Sequence, residues 1–370
     1  MRSRLALSAH PILIALITIT FVSSTSAFLL AQSTPANEFQ KNRELAKQYL
    51  KEEAYSSAVP FLEKARAING SDYDNGYDLA KSYLQTGQLD KARDEARQLL
   101  TIRNTADVHT LSGDIETAAH SPKPAAEEYQ IAAHMDPSED RIFDFGRSLL
   151  GFASDAAERV FSYGVQKYPR SAIMRIGLGE AYDIRGDYVK AIESLCQASD
   201  LNPDDPRPIS FLGQLPVVPP DKTKMIDQRY STFLKAHPDN AEASYYLGRD
   251  LLNPKDGTPS ADDLNNSERL LQVAVHSNPK LAGAHFELGR LYAQRKKGTD
   301  AIGEYQKAIA LDATQEEYHY QLAIAYRGAG EIDKANAEFQ KFRSMRADKN
   351  EKYGPKDLTA PSGPAKDDTH

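Results

Sequence analysis

The chain has 370 residues, of which 41% are hydrophobic and 26% are charged, and its formal net charge is −7 at pH 7. This composition is typical of a soluble helical protein, and the acidic balance argues against nucleic acid as a partner because such binding relies on basic surfaces. The single cysteine, Cys196, excludes an internal disulfide, and the sequence predicts that its thiol is a small buried apolar group.

The first 31 residues have the pattern of a secretory signal peptide. Two arginines precede an apolar stretch at residues 11–22, and small residues then lead to Ala27, with Ala31 as a second cleavage point. We therefore expect cleavage near residue 27 or 31 and export to the periplasm or out of the cell. The alternative is an uncleaved anchor at residues 11–31 in the inner membrane, which would be the only membrane association of the chain.

One helical pattern then recurs along most of the chain. In its clearest copy Leu288, Gly289 and Tyr292 belong to a first helix, and Ala301 and Tyr305 belong to a second. Nine copies have a small residue at the position of Gly289: Ala46, Ala80, Gly113, Gly146, Gly179, Gly213, Gly248, Gly289 and Ala323. Neighbouring copies are 33 to 35 residues apart, except for one step of 41. A period near 34 predicts a stack of helix pairs.

This pattern resembles that of the tetratricopeptide-repeat family, in an exported bacterial-type protein, over roughly residues 38–345. The resemblance implies an all-α, right-handed superhelical solenoid of about nine antiparallel helix pairs, acting as a non-catalytic scaffold for protein–protein interaction. We expect the small residue of each first helix to face the small residue of the second, so that the helices approach closely and larger residues interlock around them.

Prolines divide the predicted array. Pro216 and the pair Pro219–Pro220 cannot continue a helix, so we predict that one first helix ends early and that the next helix begins near Lys222. The array would then consist of an N-terminal part at residues 32–215 and a C-terminal part at residues 216–346.

Two further segments depart from the pattern. Residues 253–266 are rich in turn-forming residues and predict a long loop between two helices, which accounts for the step of 41. Residues 347–370 contain almost no large apolar side chain and predict a disordered tail.

The sequence lacks the usual catalytic motifs. It has no phosphate-binding loop, no His-Glu-x-x-His, no cysteine pair for zinc and no Gly-x-Ser-x-Gly. His285 and His319 occupy equivalent repeat positions and are able to approach one another in a stack, but two histidines alone rarely form a metal site. We therefore predict no enzymatic activity, metal or cofactor. An unrecognised enzymatic site near these histidines and residues 253–266 is the open alternative.

The first helices carry a more informative pattern. An aromatic residue stands three positions before the small residue and a basic residue one position after it, so the two share a helix face. These pairs are Tyr77 and Lys81, Phe143 and Arg147, Tyr245 and Arg249, and Phe286 and Arg290, and Tyr320 lacks a basic partner. In the family the first helices line a concave groove.

We therefore expect these residues to bind a partner protein or an extended peptide with acidic and apolar side chains. The alternative for the same residues is that each arginine stacks on its own aromatic neighbour. For the whole protein, the alternative is an accessory subunit of an envelope assembly or polysaccharide-export complex.

Overall fold

The computed structural model describes residues 34–254 and 257–353, which form helices and no strands. The first nine helices are α1 (Pro35–Lys51), α2 (Tyr55–Ile68), α3 (Tyr73–Gln85), α4 (Leu89–Ile102), α5 (Ala106–Ala118), α6 (Pro122–Met135), α7 (Glu139–Leu149), α8 (Ser154–Lys167) and α9 (Ala172–Ile184). The others are α10 (Tyr188–Leu201), α11 (Arg207–Gln214), α12 (Pro220–Ala236), α13 (Ala241–Leu252), α14 (Ala261–Ser277), α15 (Ala282–Gln294), α16 (Gly298–Leu311), α17 (Glu316–Gly328) and α18 (Ile332–Tyr353). The predicted all-α class and its succession of helix pairs are confirmed.

The predicted signal peptide at residues 1–31 lies outside the described residues. Within the part of the chain that the structure describes, no helix is both long enough and apolar enough to cross a membrane.

The chain divides after Ser148 into two compact units, whereas the sequence predicted a division between residues 215 and 216. The first unit contains α1–α6 and all of α7 except its last residue, and the second contains α8–α18. The prolines at 216–220 do not divide the second unit because Leu195 of α10, Leu212 of α11 and Tyr230 of α12 share one core.

Local sequence signals explain where the helices begin. The side chains of Thr34, Asp72, Thr105 and Ser171 each accept a hydrogen bond from a backbone N–H of the first turn. Such caps satisfy donors that have no partner inside the helix. Pro35, Pro122 and Pro220 occupy the first position of their helices, where a missing N–H costs little.

All nine small residues of the repeat are buried, and their role is close packing. A Cβ added to Gly289 would lie 2.7 Å from the ring of Tyr305 and 3.3 Å from the carbonyl oxygen of Ala301. At Gly179 the nearest side chain is that of Leu195, at 2.7 Å. At both glycines the nearest atoms belong to the large residue four positions after the small residue of the second helix. The carbonyl oxygen of that small residue is also close, at 3.3 Å for Ala301 and 3.5 Å for Ala191, which agrees with the expected close approach of the two helices.

The proline break takes the form that the sequence predicts, because α11 ends at Gln214 and α12 begins at Pro220. The loop after α13 is shorter than predicted, since α14 begins at Ala261. Ser260 and Asp263 explain this early start: each side chain bonds the backbone N–H of the other residue, in a capping box.

The last helix, α18, continues to Tyr353, although we predicted an unstructured tail from residue 347. The rest of that predicted tail, residues 354–370, lies outside the described residues.

Candidate functional site

In the first unit, three equivalent repeat positions share one face of the first helices. Lys81 of α3, Asp114 of α5 and Arg147 of α7 each follow a small residue by one position. Burial raises the pKa of the Asp114 carboxyl, while a hydrogen bond donated by the Tyr129 hydroxyl at 2.7 Å, and the charges of Arg147 and Lys81, lower it. Both cations act on the same carboxyl, so the face carries two positive charges near one partly buried acid.

The aromatic members of the predicted pairs are partly buried in this unit. Tyr77 stacks on Tyr73, with ring centres 6.2 Å apart, and burial raises the pKa of its hydroxyl. The Arg147 guanidinium lies 5.9 Å from the centre of the Phe143 ring, so the intrahelical stacking alternative applies to this pair. The Arg147 side chain nevertheless remains 57% exposed, and its ion pair with Asp144 is long, at 3.4 Å.

A cavity of about 440 Å³ adjoins Arg147 in the first unit. Tyr129 and Ala125 of α6 and Asp144 of α7 contribute to its wall, together with His120 in the turn before α6. Burial raises the pKa of the Asp144 carboxyl, and the nearby Arg147 lowers it. The cavity therefore combines an aromatic wall with a cation that is open to solvent.

In the second unit, Arg249 is held by its own surroundings. Its Nε donates to Asp250 at 2.9 Å and its Nη1 donates to the carbonyl oxygen of Gly213 at 3.3 Å. The guanidinium also lies 5.7 Å from the ring centre of Tyr245 and 5.2 Å from that of Tyr246. At least two of its N–H groups are thus engaged within the second unit.

Arg290 is engaged in a similar way. It donates to Glu287 at 3.0 Å and to Asn253 at 2.7 Å, and it lies 5.9 Å from the ring centre of Phe286. Phe286 is 8% exposed and stacks on Tyr318, with ring centres 4.5 Å apart. The aromatic member of this predicted pair therefore belongs to the core of the unit.

Tyr320 packs against Phe339 and Phe342 of α18, with ring centres 5.9 and 5.1 Å away. Among the predicted binding residues, the structure brings Tyr77, Lys81, Phe143 and Arg147 into the first unit and the other five into the second.

His285 and His319 each contact a glutamate 19 residues further on. Nδ1 of His285 lies 2.6 Å from Glu304 Oε2, and Nδ1 of His319 lies 2.5 Å from Glu338 Oε2. His109 has the same contact, so these buried pairs join the first and second helices of one repeat. Among the described residues, no group of three or more His, Cys, Asp or Glu side chains is placed to hold a metal ion.

A polar cavity of about 260 Å³, which was not predicted from the sequence, lies beside the proline break. Thr223 and Tyr230 of α12 and Arg249 and Asp250 of α13 line it, and Asp227 lies on the same face of α12. Burial raises the pKa of Asp227 to about 7; the charge of Asp250 adds to this and Arg249 opposes it. In the sequence, the only signals were the helix break and the i, i+4, i+7 spacing of three polar residues.

Helix pairs with a repeat of about 34 residues and close-packed small residues define the class of helical-repeat proteins. A tetratricopeptide-repeat family model matches residues 49–115, and a second model of the same repeat matches residues 150–206 and 261–316. These three ranges therefore match tetratricopeptide repeats, a type of repeat that generally mediates protein–protein interactions and is generally non-catalytic.

Known proteins share parts of this organisation. Superkiller complex protein 3 of Mus musculus is 33% identical over 88 residues, which cover 23% of this chain and 6% of that protein. The C-terminal part of a repeat protein from Cytophaga hutchinsonii has a TM-score of 0.51 at 16% identity, covering 77% of this chain and 99% of that chain. A repeat protein from Parabacteroides merdae has a TM-score of 0.45 at 12% identity, covering 78% and 98%. The likeness to the Cytophaga structure shows the fold alone.

Proposed function

We propose that this protein is a non-catalytic scaffold that binds an extended segment of a partner protein, rich in acidic and apolar side chains, on the face of its first helices. The observation that carries the proposal is the arrangement of Lys81 and Arg147 around Asp114 in the first unit. Two exposed cations with aromatic side chains beside them suit a chain of carboxylates and apolar groups.

The roles of the predicted cations differ between the units. Arg147 is more than half exposed and Lys81 is exposed, so both can pair with a partner's carboxylates at little cost. Arg249 and Arg290 would first have to leave Asp250 and Glu287, which are mostly buried. Losing an ion-pair partner inside a protein is costly. The proposal therefore assigns direct contacts to Lys81 and Arg147, and a supporting role to the two arginines of the second unit.

Reversing both exposed charges should weaken peptide binding. We expect the variant Lys81→Glu with Arg147→Glu to bind an acidic, aromatic-containing peptide about tenfold more weakly or worse, because attraction becomes repulsion. Fluorescence polarisation of a labelled peptide panel with the full chain measures this. The peptide affinity of the unaltered protein should also fall more steeply with rising salt concentration than that of the variant.

The matched control is the variant Arg97→Glu with Lys123→Glu, which reverses the same number of exposed charges on the second helices α4 and α6. Circular dichroism establishes that both variants are folded. If the control variant loses as much affinity as the first, net charge and not this face determines binding, and the proposal fails.

We also propose that the protein acts outside the cytoplasm, on the basis of the basic and apolar pattern of residues 1–31. Intact-mass analysis of the protein from its native cells should give an N-terminus at residue 28 or 32. A protein that retains residues 1–31 and pellets with membranes would instead support the uncleaved anchor, and one that retains them in the soluble cytoplasmic fraction would contradict export.

A further inference from the structure

The proline break leaves a cavity in the second unit. The first helices α9, α13, α15 and α17 have 12 or 13 residues, but α11 has only 8. The chain then crosses to α12 through Leu215 and Val218, which form part of the cavity wall with Leu212 and Ile226. One side of the cavity is therefore lined by aliphatic groups, and the volume of about 260 Å³ is large enough for a side chain or a small organic ion.

One face of α12, two of whose residues line the cavity, carries three polar atoms that have no hydrogen-bond partner among the described residues. They are Thr223 Oγ1, Asp227 Oδ1 and Tyr230 Oη, at positions i, i+4 and i+7 of α12. Tyr230 is 0% exposed, and Thr223 and Tyr230 line the cavity directly. Buried polar atoms are rarely left unpaired because each costs free energy, so their alignment on one helix face indicates a ligand.

The charges around the cavity indicate the kind of ligand. Arg249 is paired with Asp250 at 2.9 Å, so the charges of these two side chains balance one another. Asp227 adds a second carboxyl that forms no ion pair among the described residues, although the charge of Arg249 acts on it. A cation is therefore favoured over a phosphate or carboxylate, and a bare metal ion is disfavoured because no three His, Cys, Asp or Glu side chains of the described residues are grouped to hold one.

We propose that this cavity binds a primary alkylammonium group. An ammonium has three N–H donors, and Thr223 Oγ1, Asp227 Oδ1 and Tyr230 Oη supply three acceptors. The alkyl chain would lie against Leu212 and Ile226. Such a group is found in the lysine side chain of a partner protein and in free aliphatic amines.

The test uses the purified full chain and three probes. Two are amines, Nα-acetyl-lysine methylamide and 1-aminobutane, and the third, Nα-acetyl-norleucine methylamide, is an analogue without the charge. Isothermal titration calorimetry should show saturable binding of the two amines and at least about tenfold weaker binding of the norleucine compound. Tighter binding of the lysine compound would identify a protein side chain as the source, and tighter binding of 1-aminobutane a free amine. If neither amine binds saturably, or the norleucine compound binds equally well, the proposal is wrong.

Variants locate the binding in the cavity. Asp227→Asn should weaken amine binding about tenfold or more, and Tyr230→Phe should weaken it several-fold, because each removes one interaction with the ammonium. The control Asp221→Asn removes an exposed carboxylate from the same helix and should bind normally. Equal affinities of the Asp227→Asn and unaltered proteins would contradict the proposal.

The pH dependence gives an independent readout. Because burial raises the pKa of Asp227 to about 7, amine affinity should fall as the pH is lowered from 8 to 6 and the carboxyl becomes neutral. The stability of the free protein should change in the opposite direction, falling as the pH is raised. The folded state keeps a proton on Asp227 up to about pH 7, whereas the unfolded chain releases it at its ordinary pKa of 3.8. The stability that this bound proton contributes is therefore fully present below pH 3.8 and is lost as the pH rises through 7. Asp227→Asn should therefore melt at a higher temperature than the unaltered protein at pH 8, with a difference that vanishes near pH 4, and this also verifies that the variant folds.

Discussion

Replacing Gly177 with alanine is expected to lower the free energy of unfolding by about 1–3 kcal/mol. A Cβ at this position of α9 would lie 2.3 Å from Cε1 and 2.4 Å from Cζ of the Phe161 ring of α8. Phe161 is 0% exposed, so the ring cannot move aside without losing contacts elsewhere in the close-packed core. Urea denaturation of the full chain, followed by circular dichroism, measures the change.

The matched control is Gly303→Ala in α16. No atom outside the immediate helix backbone lies within 4 Å of a Cβ added there, and the position is inside a regular helix. Alanine should stabilise it by about 0.5–1 kcal/mol, because glycine has the greater conformational freedom in the unfolded chain. The two substitutions are chemically identical, so their opposite signs would isolate the steric effect. Stabilisation by both would show that the interface at Gly177 opens easily.

Replacing Arg66 with methionine should destabilise the first unit by about 3 kcal/mol at pH 7. Arg66 Nε lies 2.8 Å from Glu95 Oε1, and the two side chains are only 12% and 9% exposed. Its Nη2 also donates to Gln98 at 2.9 Å. Methionine preserves most of the aliphatic packing but leaves Glu95 as a buried charge without a partner. Thermal and urea denaturation, monitored by circular dichroism, measure the loss.

The pH dependence of this loss of stability distinguishes the effect of the unpaired Glu95 charge from the effect of altered packing. Burial raises the pKa of Glu95, and Arg66 opposes this, so removal of Arg66 should raise that pKa further. A raised carboxyl pKa costs stability above the ordinary value of 4.5, and the cost is complete once the pH exceeds the folded value. The deficit of Arg66→Met should therefore shrink as the pH falls from 8 towards 4.5, and adding Glu95→Gln to this variant should recover most of it at pH 7. A deficit that stays constant from pH 4 to 8 would attribute the effect to packing alone.

The repeat could be predicted from the sequence because its period and its small residues are local properties. The side chain that packs against Gly289 could not be predicted, because the pattern identifies a small residue without identifying the neighbour that contacts it. Tyr305 fills the space beside Gly289 because an aromatic ring reaches further across the helix contact than Ala301 does. The early start of α14 was missed for a related reason: a segment rich in turn formers also contained the capping pair Ser260 and Asp263.

The candidate site was harder to predict than the fold. The aromatic and basic pattern placed Arg147 and Arg290 in equivalent positions, yet Arg290 is bound by Glu287 three residues before it and by Asn253, the residue that follows α13. The partner at i−3 was visible in the sequence, but the contact with Asn253 depends on how two helices are packed. Likewise, the polar face of α12 has the spacing of an ordinary solvated surface until the shortened α11 places it beside a cavity.

The buried histidine–glutamate pairs differ from the Arg66–Glu95 pair in how far they reach along the chain. His109 with Glu128, His285 with Glu304, and His319 with Glu338 each lie inside one helix pair, whereas Arg66 of α2 and Glu95 of α4 belong to successive pairs. Duplication or deletion of a complete repeat during evolution would keep each histidine with its own glutamate, but it would separate an arginine from its acid. Arrays of this type can therefore change length most easily where the polar contacts are contained within a single repeat.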